Sequence, residues 1–316
     1  MKVSFLITGG AGFIGSNMVE YLLDLGHRVV VLDNFATGKK ENIESYASHS
    51  DFTFIEGDIR DLDTCQTACE GIDYVIHLAA LGSVPRSIKD PITTHQVNTT
   101  GMLNMMIAAR DHHVTTFVYA SSSSVYGDEK ILPKVEHKIG KPLSPYAISK
   151  YIDELYAKNF YELYGLPTIG LRYFNVFGRR QDPSSIYAAV IPLFVQNLLH
   201  DEPSIIHGDG MQSRDFTYID NVLQANLKAC FAQKNAYGEA FNVAYGGQVT
   251  VNEVYHTLED LLNKRITPLY GSTRPGDIKH SNADITKAKK LLKYEPTHNF
   301  YEGIKLTIDW YKNHLN

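Results

Sequence analysis

Six short apolar runs punctuate the first 172 residues, and their spacing fixes most of what this chain can become. Val3–Ile7, Arg28–Leu32, Phe52–Ile55, Asp73–His77, Thr116–Ala120 and Thr168–Arg172 are four or five residues long and rich in β-branched and aromatic side chains. That length and composition favour strands over helices. Between them lie segments with apolar residues at helical spacing, such as Phe13–Leu25 and Ile92–Arg110. Strand, helix and strand in alternation require crossovers, and crossovers give a parallel sheet covered on both faces. The expected class is α/β, a doubly wound parallel sheet.

The texture changes after about residue 176. Loops lengthen, as at Arg179–Ser185 and His207–Arg214, and the alternation fades. A chain of 316 residues is comfortable as two packed units. We expect a larger unit over 1–176 and 217–246 and a smaller α/β substrate-binding unit over 177–216 and 247–316. Phe241–Ala244 is expected to return to the main sheet as a late strand.

Charge and cysteine content exclude several classes of function. Thirty basic and 35 acidic residues give a net charge of −5, with no long basic run. Nucleic acid and anionic membrane surfaces are therefore not expected partners, because phosphate attraction needs clustered Lys and Arg. Cys65, Cys69 and Cys230 form no CxxC pair, and none of the 13 histidines falls in an HExxH pattern, so no disulfide framework and no metal site is expected. No apolar run reaches the roughly 18 residues of a membrane span. The expected location is the cytoplasm.

The first strand runs directly into Thr8-Gly9-Gly10-Ala11-Gly12-Phe13-Ile14-Gly15, which opens the first helix. Gly9, Gly12 and Gly15 are spaced GxxGxxG, a variant of the dinucleotide fingerprint of the Rossmann arrangement. Such glycines allow a tight turn, close approach to a pyrophosphate, and free N–H groups at a helix N-terminus. Asp33 ends the second strand 18 residues after Gly15, where an acid accepts hydrogen bonds from an adenosine ribose and repels a 2′-phosphate. No Arg stands immediately beside it, so NAD is the expected cofactor rather than NADP. Asp58 and Ile59, just past the third strand, sit where an adenine edge would lie.

Ser144-Pro145-Tyr146-Ala147-Ile148-Ser149-Lys150 carries a second signal. Ser144 is a natural N-cap and Pro145 suits the first helical position, which makes Tyr146 and Lys150 an i, i+4 pair on one helix face. A phenol titrates near ~10 when unperturbed, but a nearby ammonium favours its anion. Such a pair can act as a general base near neutral pH. The fifth strand ends in Ser121-Ser122-Ser123-Ser124-Val125-Tyr126-Gly127, and ligands of a doubly wound sheet lie beyond the carboxyl ends of its strands. A hydroxyl from this run is therefore expected beside Tyr146.

Gly9–Gly15, Asp33, the Ser122 region and the Tyr146/Lys150 pair resemble the extended short-chain dehydrogenase/reductase family, over essentially the whole chain. Ser122, four residues before Tyr126, matches the family's catalytic Ser or Thr. Ser123 and Ser124 stand where nucleotide-sugar 4,6-dehydratases carry an Asp-Glu pair, so the resemblance implies epimerisation rather than dehydration. Tyr173-Phe174-Asn175-Val176-Phe177-Gly178 resembles the segment that meets nicotinamide and sugar nucleotide. Arg214 and Arg274 resemble the family's diphosphate-binding arginines, and Asp277 could accept a ribose hydroxyl. Gly82-Ser83-Val84-Pro85-Arg86-Ser87 resembles the loop that lines the sugar pocket in the branch acting on UDP-N-acetylhexosamines. Relatives restricted to UDP-galactose and UDP-glucose resemble this chain near Ser281 but place a bulky aromatic there.

The resemblance thus implies reversible 4-epimerisation of UDP-GlcNAc to UDP-GalNAc, possible also with UDP-Glc and UDP-Gal. Tyr146, Lys150 and Ser122 would be catalytic. Gly9, Gly12, Phe13, Ile14, Gly15, Asp33, Asn34, Asp58, Ile59, Leu78, Ala79, Ala80 and Tyr173, with Tyr146 and Lys150, would hold NAD. Ser83, Arg86, Ser122, Ser123, Ser124, Asn175, Arg214, Arg274, Asp277 and Ser281 would meet the UDP-sugar. The family usually dimerises through helices matching about 91–112 and 145–164, which implies a homodimer. Two alternatives remain open at the level of sequence: a UDP-hexuronate epimerase or decarboxylase with the same cofactor residues, and a dinucleotide-sensing protein without chemistry.

Overall fold

All six runs are strands. They are β1 (Ser4–Thr8), β2 (Arg28–Asp33), β3 (Phe52–Glu56), β4 (Tyr74–His77), β5 (Thr116–Ser122) and β6 (Thr168–Tyr173). The computed structural model describes residues 2–183, 189–273 and 279–314. A further strand, Glu239–Val243, pairs with β6, two residues earlier than the sequence places its start. The seven strands are parallel and lie in the order Glu239–Val243, β6, β5, β4, β1, β2, β3. The chain winds outward from β1 in both directions, so the crevice at the switch point opens between β1 and β4, where Thr8 lies beside His77.

Burial explains why these runs read as continuous apolar segments. Phe5, Leu6, Ile7, Val29, Val31 and Leu32 are fully buried, although neighbouring side chains point to opposite faces. Each such side chain stabilises the fold by roughly 1.5–3 kcal/mol. The helix Phe13–Asp24 starts directly from the glycine loop and buries Met18, Val19, Leu22 and Leu23. The helix Pro145–Tyr164 begins as expected: Ser144 Oγ accepts from Ala147 N at 3.1 Å, and Pro145 is its first residue. It ends at Gly165, whose φ of 72° is the left-handed conformation that closes helices.

One expected helix differs. Ile92–Arg110 is not a regular α-helix but Pro91–His95, a π-helical turn at Gln96–Thr100, and Gly101–Asp111. The wider turn sets Asn98 against Leu81 and Ser149: Asn98 Oδ1 accepts from Leu81 N at 2.8 Å, and Nδ2 donates to Ser149 Oγ at 3.1 Å. A periodicity of 3.6 does not register a single extra residue in a turn.

The later part of the chain is built from the helices Val190–Leu199, Ile219–Cys230, Val251–Leu262 and Phe300–His314 with short strand pairs between. Part of the expected 207–214 loop is a strand: Ser213–Arg214 pairs antiparallel with Val249–Thr250.

Candidate active site

A cleft of about 630 Å³ opens at the carboxyl ends of the central strands. Gly9, at φ 71°, donates its amide to Leu32 O at 2.9 Å, and Gly12 donates to Gly9 O at 3.1 Å. A Cβ on Gly15 would lie 2.7 Å from Gly10 Cα, and one on Gly9 would lie 2.8 Å from Ala79 N. Those glycines let the helix N-terminus and β4 close on the loop, leaving a cradle of backbone for a pyrophosphate. Asp33 follows at the rim. Its two oxygens accept from Ala11 N at 2.9 Å and Phe35 N at 2.8 Å. Burial raises its carboxyl above the ordinary range, and the amides oppose that rise. Asn34 Nδ2 donates to Asp58 at 2.9 Å, and Arg60 clasps Asp58 and holds that carboxyl low.

Every residue expected to hold NAD lines this cleft: Gly9, Gly12, Phe13, Ile14, Gly15, Asp33, Asn34, Asp58, Ile59, Leu78, Ala79, Ala80, Tyr146, Lys150 and Tyr173. Tyr173 does not turn its hydroxyl to the cleft. Its hydroxyl donates to Asn226 Oδ1 at 3.0 Å, inside the core. Arg60, Thr93 and Val97 also line the cleft and were not foreseen. Arg60 could have been suspected from Asp58-Ile59-Arg60, but Thr93 arrives only through the fold.

Ser122, Ser123, Tyr146 and Lys150 share the same cleft. Ser122 Oγ accepts from Ser124 N at 3.1 Å, which leaves its proton to donate outward. Ser124 is outside the lining, and its Oγ is buried without a hydrogen-bond partner among the described residues. Ser121, one residue before Ser122, donates to Glu154 Oε1 at 2.5 Å. Glu154 in turn receives Arg172 Nε at 2.8 Å and Nη2 at 2.7 Å. Arg172 Nη1 donates to Tyr126 OH at 3.0 Å, and Tyr126 donates to Asn242 at 2.6 Å. This buried network ties β5, β6 and the Tyr146 helix together beneath the serines, and sequence periodicity gives no sign of it. Below Lys150, His77 Nδ1 shares a 2.8 Å hydrogen bond with Thr8 Oγ1. Burial, and then the Lys150 charge, push His77 down to about 3, so the imidazole is neutral.

A second cavity of about 300 Å³ adjoins the first. Asn175 and Val176 line both. The second cavity is walled by apolar side chains such as Phe177, Phe194 and Ile206, with His207, Gln212 and Arg214 as polar members. Asn175 has φ 34° and donates to Asp215 O at 3.2 Å, fixing its strained backbone against the Arg214 strand. Asp215 itself accepts from Gly246 and Ala283 amides at 3.2 Å, while burial raises its carboxyl to about 6.

Three more expected substrate residues lie elsewhere. Ser83 and Arg86 line neither cavity. Ser83 Oγ accepts from Arg86 N at 3.2 Å and caps the short helix Val84–Lys89. Ser281 also lines neither cavity, and its amide donates to Ser213 O at 3.1 Å, next to Arg214. Arg274 and Asp277 lie outside the described residues.

Comparison with known proteins supplies the family. The model of the NAD-dependent epimerase/dehydratase family matches residues 5–244. The chain belongs to this family. A UDP-glucose 4-epimerase of Mycolicibacterium smegmatis is 36% identical over 310 residues, covering 98% of each sequence. Among solved structures, the UDP-N-acetylglucosamine 4-epimerase from Methanobrevibacter ruminantium, in complex with UDP-N-acetylmuramic acid, superposes with a TM-score of 0.94. It is 40% identical over 99% of each chain. The UDP-glucuronic acid 4-epimerase from Bacillus cereus, in complex with UDP-glucuronic acid and NAD, has a TM-score of 0.90 at 35% identity, over 98% of this chain and 99% of that one.

NAD is accordingly the cofactor of this epimerase-family chain. The cleft fits it by its own geometry: a glycine cradle that Cβ atoms would obstruct, and an acid at the ribose position. Among the described residues, no helix is long and apolar enough to cross a membrane.

Proposed function

We propose that this protein catalyses reversible 4-epimerisation of a UDP-N-acetylhexosamine, interconverting UDP-GlcNAc and UDP-GalNAc. The observation that carries the reading is the meeting of the two cavities at Asn175 and Val176, with Tyr146, Lys150 and Ser122 on one side and Arg214 on the other. A sugar at that junction would have its nucleotide in the apolar second cavity, its diphosphate near the Arg214 guanidinium, and its ring over the catalytic hydroxyls.

In this reading Tyr146 takes the proton from the sugar 4-hydroxyl and Lys150 favours the phenolate that does so. Ser122, with its own acceptor site taken by Ser124 N, donates to the 4-oxygen. NAD supplies the hydride acceptor and donor for C4, so the reaction passes through a 4-keto sugar and returns to its starting redox state. Ser123 and Ser124 supply no acid for an elimination, which favours epimerisation over dehydration. We also assign a homodimer: Ile92, Leu155 and Leu163 are 69%, 54% and 66% exposed on the two segments that would meet.

The named relatives act on more than one hexose, so substrate choice is tested directly. Incubated separately with UDP-GlcNAc, UDP-Glc and UDP-GlcUA, with no added reductant, the protein is expected to convert UDP-GlcNAc fastest. Product separation decides. Predominant turnover of UDP-GlcUA assigns the hexuronate reading instead, and turnover that occurs only when NADPH is added, and consumes it stoichiometrically, removes the epimerase class.

Ser281 is the proposed discriminator. Ser281 lines neither cavity, so this rests on the resemblance: where relatives restricted to UDP-Gal and UDP-Glc carry a bulky aromatic, a serine would leave room for a 2-N-acetyl group. Ser281→Tyr is then expected to lower the ratio of kcat/KM for UDP-GlcNAc over UDP-Glc by about 10- to 100-fold, the usual consequence of forcing bulk into a fitted pocket. An unchanged ratio in the folded variant makes Ser281 a bystander.

A further inference from the structure

The helix that carries Tyr146 and Lys150 also carries an acid for which the chemistry above has no task. Asp153 lies three residues beyond Lys150, and its Oδ2 is 3.3 Å from Lys150 Nζ. Both side chains are sealed from solvent, at 1% and 3% exposure. The other oxygen, Oδ1, is buried with no hydrogen-bond partner among the described residues. A carboxylate in such a place leaves an acceptor unsatisfied, whereas a neutral acid carries less charge to solvate.

The charged and titratable groups around Asp153 come from its own helix and from β4, β5 and β6. Lys150 and Glu154 lie on its own helix, and Tyr119 reaches it from β5. Arg172 of β6 is committed to Glu154, and His77 of β4, held neutral, feels the Lys150 charge. Asp153 thus has one cation beside it and one anion nearby. Burial raises its carboxyl to about 7 against the pull of Lys150, so acid and carboxylate coexist near neutrality.

We propose that Asp153 is a positioning residue that sets how strongly the Lys150 ammonium acts on Tyr146: the ionised carboxylate draws the ammonium to itself and offsets its field, and the neutral acid releases it. The inference rests on the acid–base reading of Tyr146 given above. Its consequence is a coupled titration. As pH rises, Asp153 ionises and weakens the support that the Lys150 ammonium gives to a negative charge at Tyr146. The acid side of the kcat profile is then stretched over more than one pH unit instead of following a single ionisation. Removing the carboxylate charge leaves the full ammonium field on Tyr146, so activity persists to lower pH.

The test is Asp153→Asn, which preserves shape and an acceptor for Lys150. The folded variant, with NAD bound, is expected to move the acid limb of kcat down by about one pH unit and to sharpen it to a single ionisation. A limb that stays in place, or a loss of rate equal at all pH, overturns the proposal, since a merely structural role lowers kcat without moving its pH dependence. A second measurement needs no variant to fold: carboxyl-13C spectra of wild-type holoprotein labelled at aspartate Cγ must contain a resonance titrating near 7, the position of Asp153. Its absence also overturns the proposal. Tyr146→Phe assayed in parallel separates the two failures. If that variant keeps its activity, the acid–base reading falls. If it is dead while the Asp153→Asn limb is unmoved, only the role of Asp153 falls.

Discussion

Tyr146→Phe is expected to abolish epimerisation while the protein still carries NAD. The substitution removes one hydroxyl and leaves the half-buried ring in the first turn of the Pro145–Tyr164 helix. The cap at Ser144 is made to Ala147 N and does not involve the phenol. Lys150 keeps its place in the cleft, and the glycine cradle and Asp33 are on other elements. Cofactor retention should therefore be close to wild type. The reaction, by contrast, loses the group that takes and returns the 4-hydroxyl proton, and general acid–base catalysis contributes about 10²–10⁴-fold. The measurements are initial rate with UDP-GlcNAc and the NAD released on denaturation. A rate within tenfold of wild type removes Tyr146 from the mechanism. A variant that has lost its NAD would instead show that the hydroxyl is a cofactor contact first.

How far the sequence could be read depended on the distance over which each feature is encoded. The glycine loop, Asp33 and the Ser144–Lys150 heptapeptide are local: capping, i, i+4 spacing and the strand end are written within a few residues of each other, and Gly9, Gly12, Gly15, Asp33, Tyr146 and Lys150 line one cleft. The parallel, doubly wound class followed from the same local alternation, because parallel neighbours need crossovers. Features that depend on packing between distant elements were not legible. The π turn that aims Asn98 at Leu81 and Ser149 looks like ordinary helix in sequence. Ser83 reads as a pocket residue, yet its hydroxyl caps a six-residue helix. Arg60 and Thr93 come to the cleft from separate elements. Asp153 and Glu154 sit on a helix with many exposed polar positions, and only the fold turns both of them inward.

Glu154→Ala is expected to be among the most destabilising substitutions outside the apolar core, by about 3–5 kcal/mol. Glu154 and Arg172 form a two-pronged pair at 2.7 and 2.8 Å with exposures of 8% and 3%. Truncating the acid leaves a buried guanidinium with Tyr126 OH and Glu136 O as its remaining acceptors, neither of them charged. It also strands the Ser121 hydroxyl that donated to the same carboxylate. The double variant Glu154→Ala, Arg172→Met separates the two causes. If the penalty comes from an uncompensated buried charge, removing the charge as well should recover most of the loss, because apolar replacements of buried ion pairs are often close to neutral. The measurement is the urea midpoint of all three proteins at constant slope. A single variant within ~1 kcal/mol of wild type would mean that water reaches Arg172. Stability and activity should then part company in the double variant. Ser121 and Ser122 are consecutive on β5, and losing the Ser121–Glu154 bond loosens the strand end that aims Ser122 into the cleft. A protein restored in stability but still slow would place the value of this pair in holding the catalytic serine rather than in holding the fold.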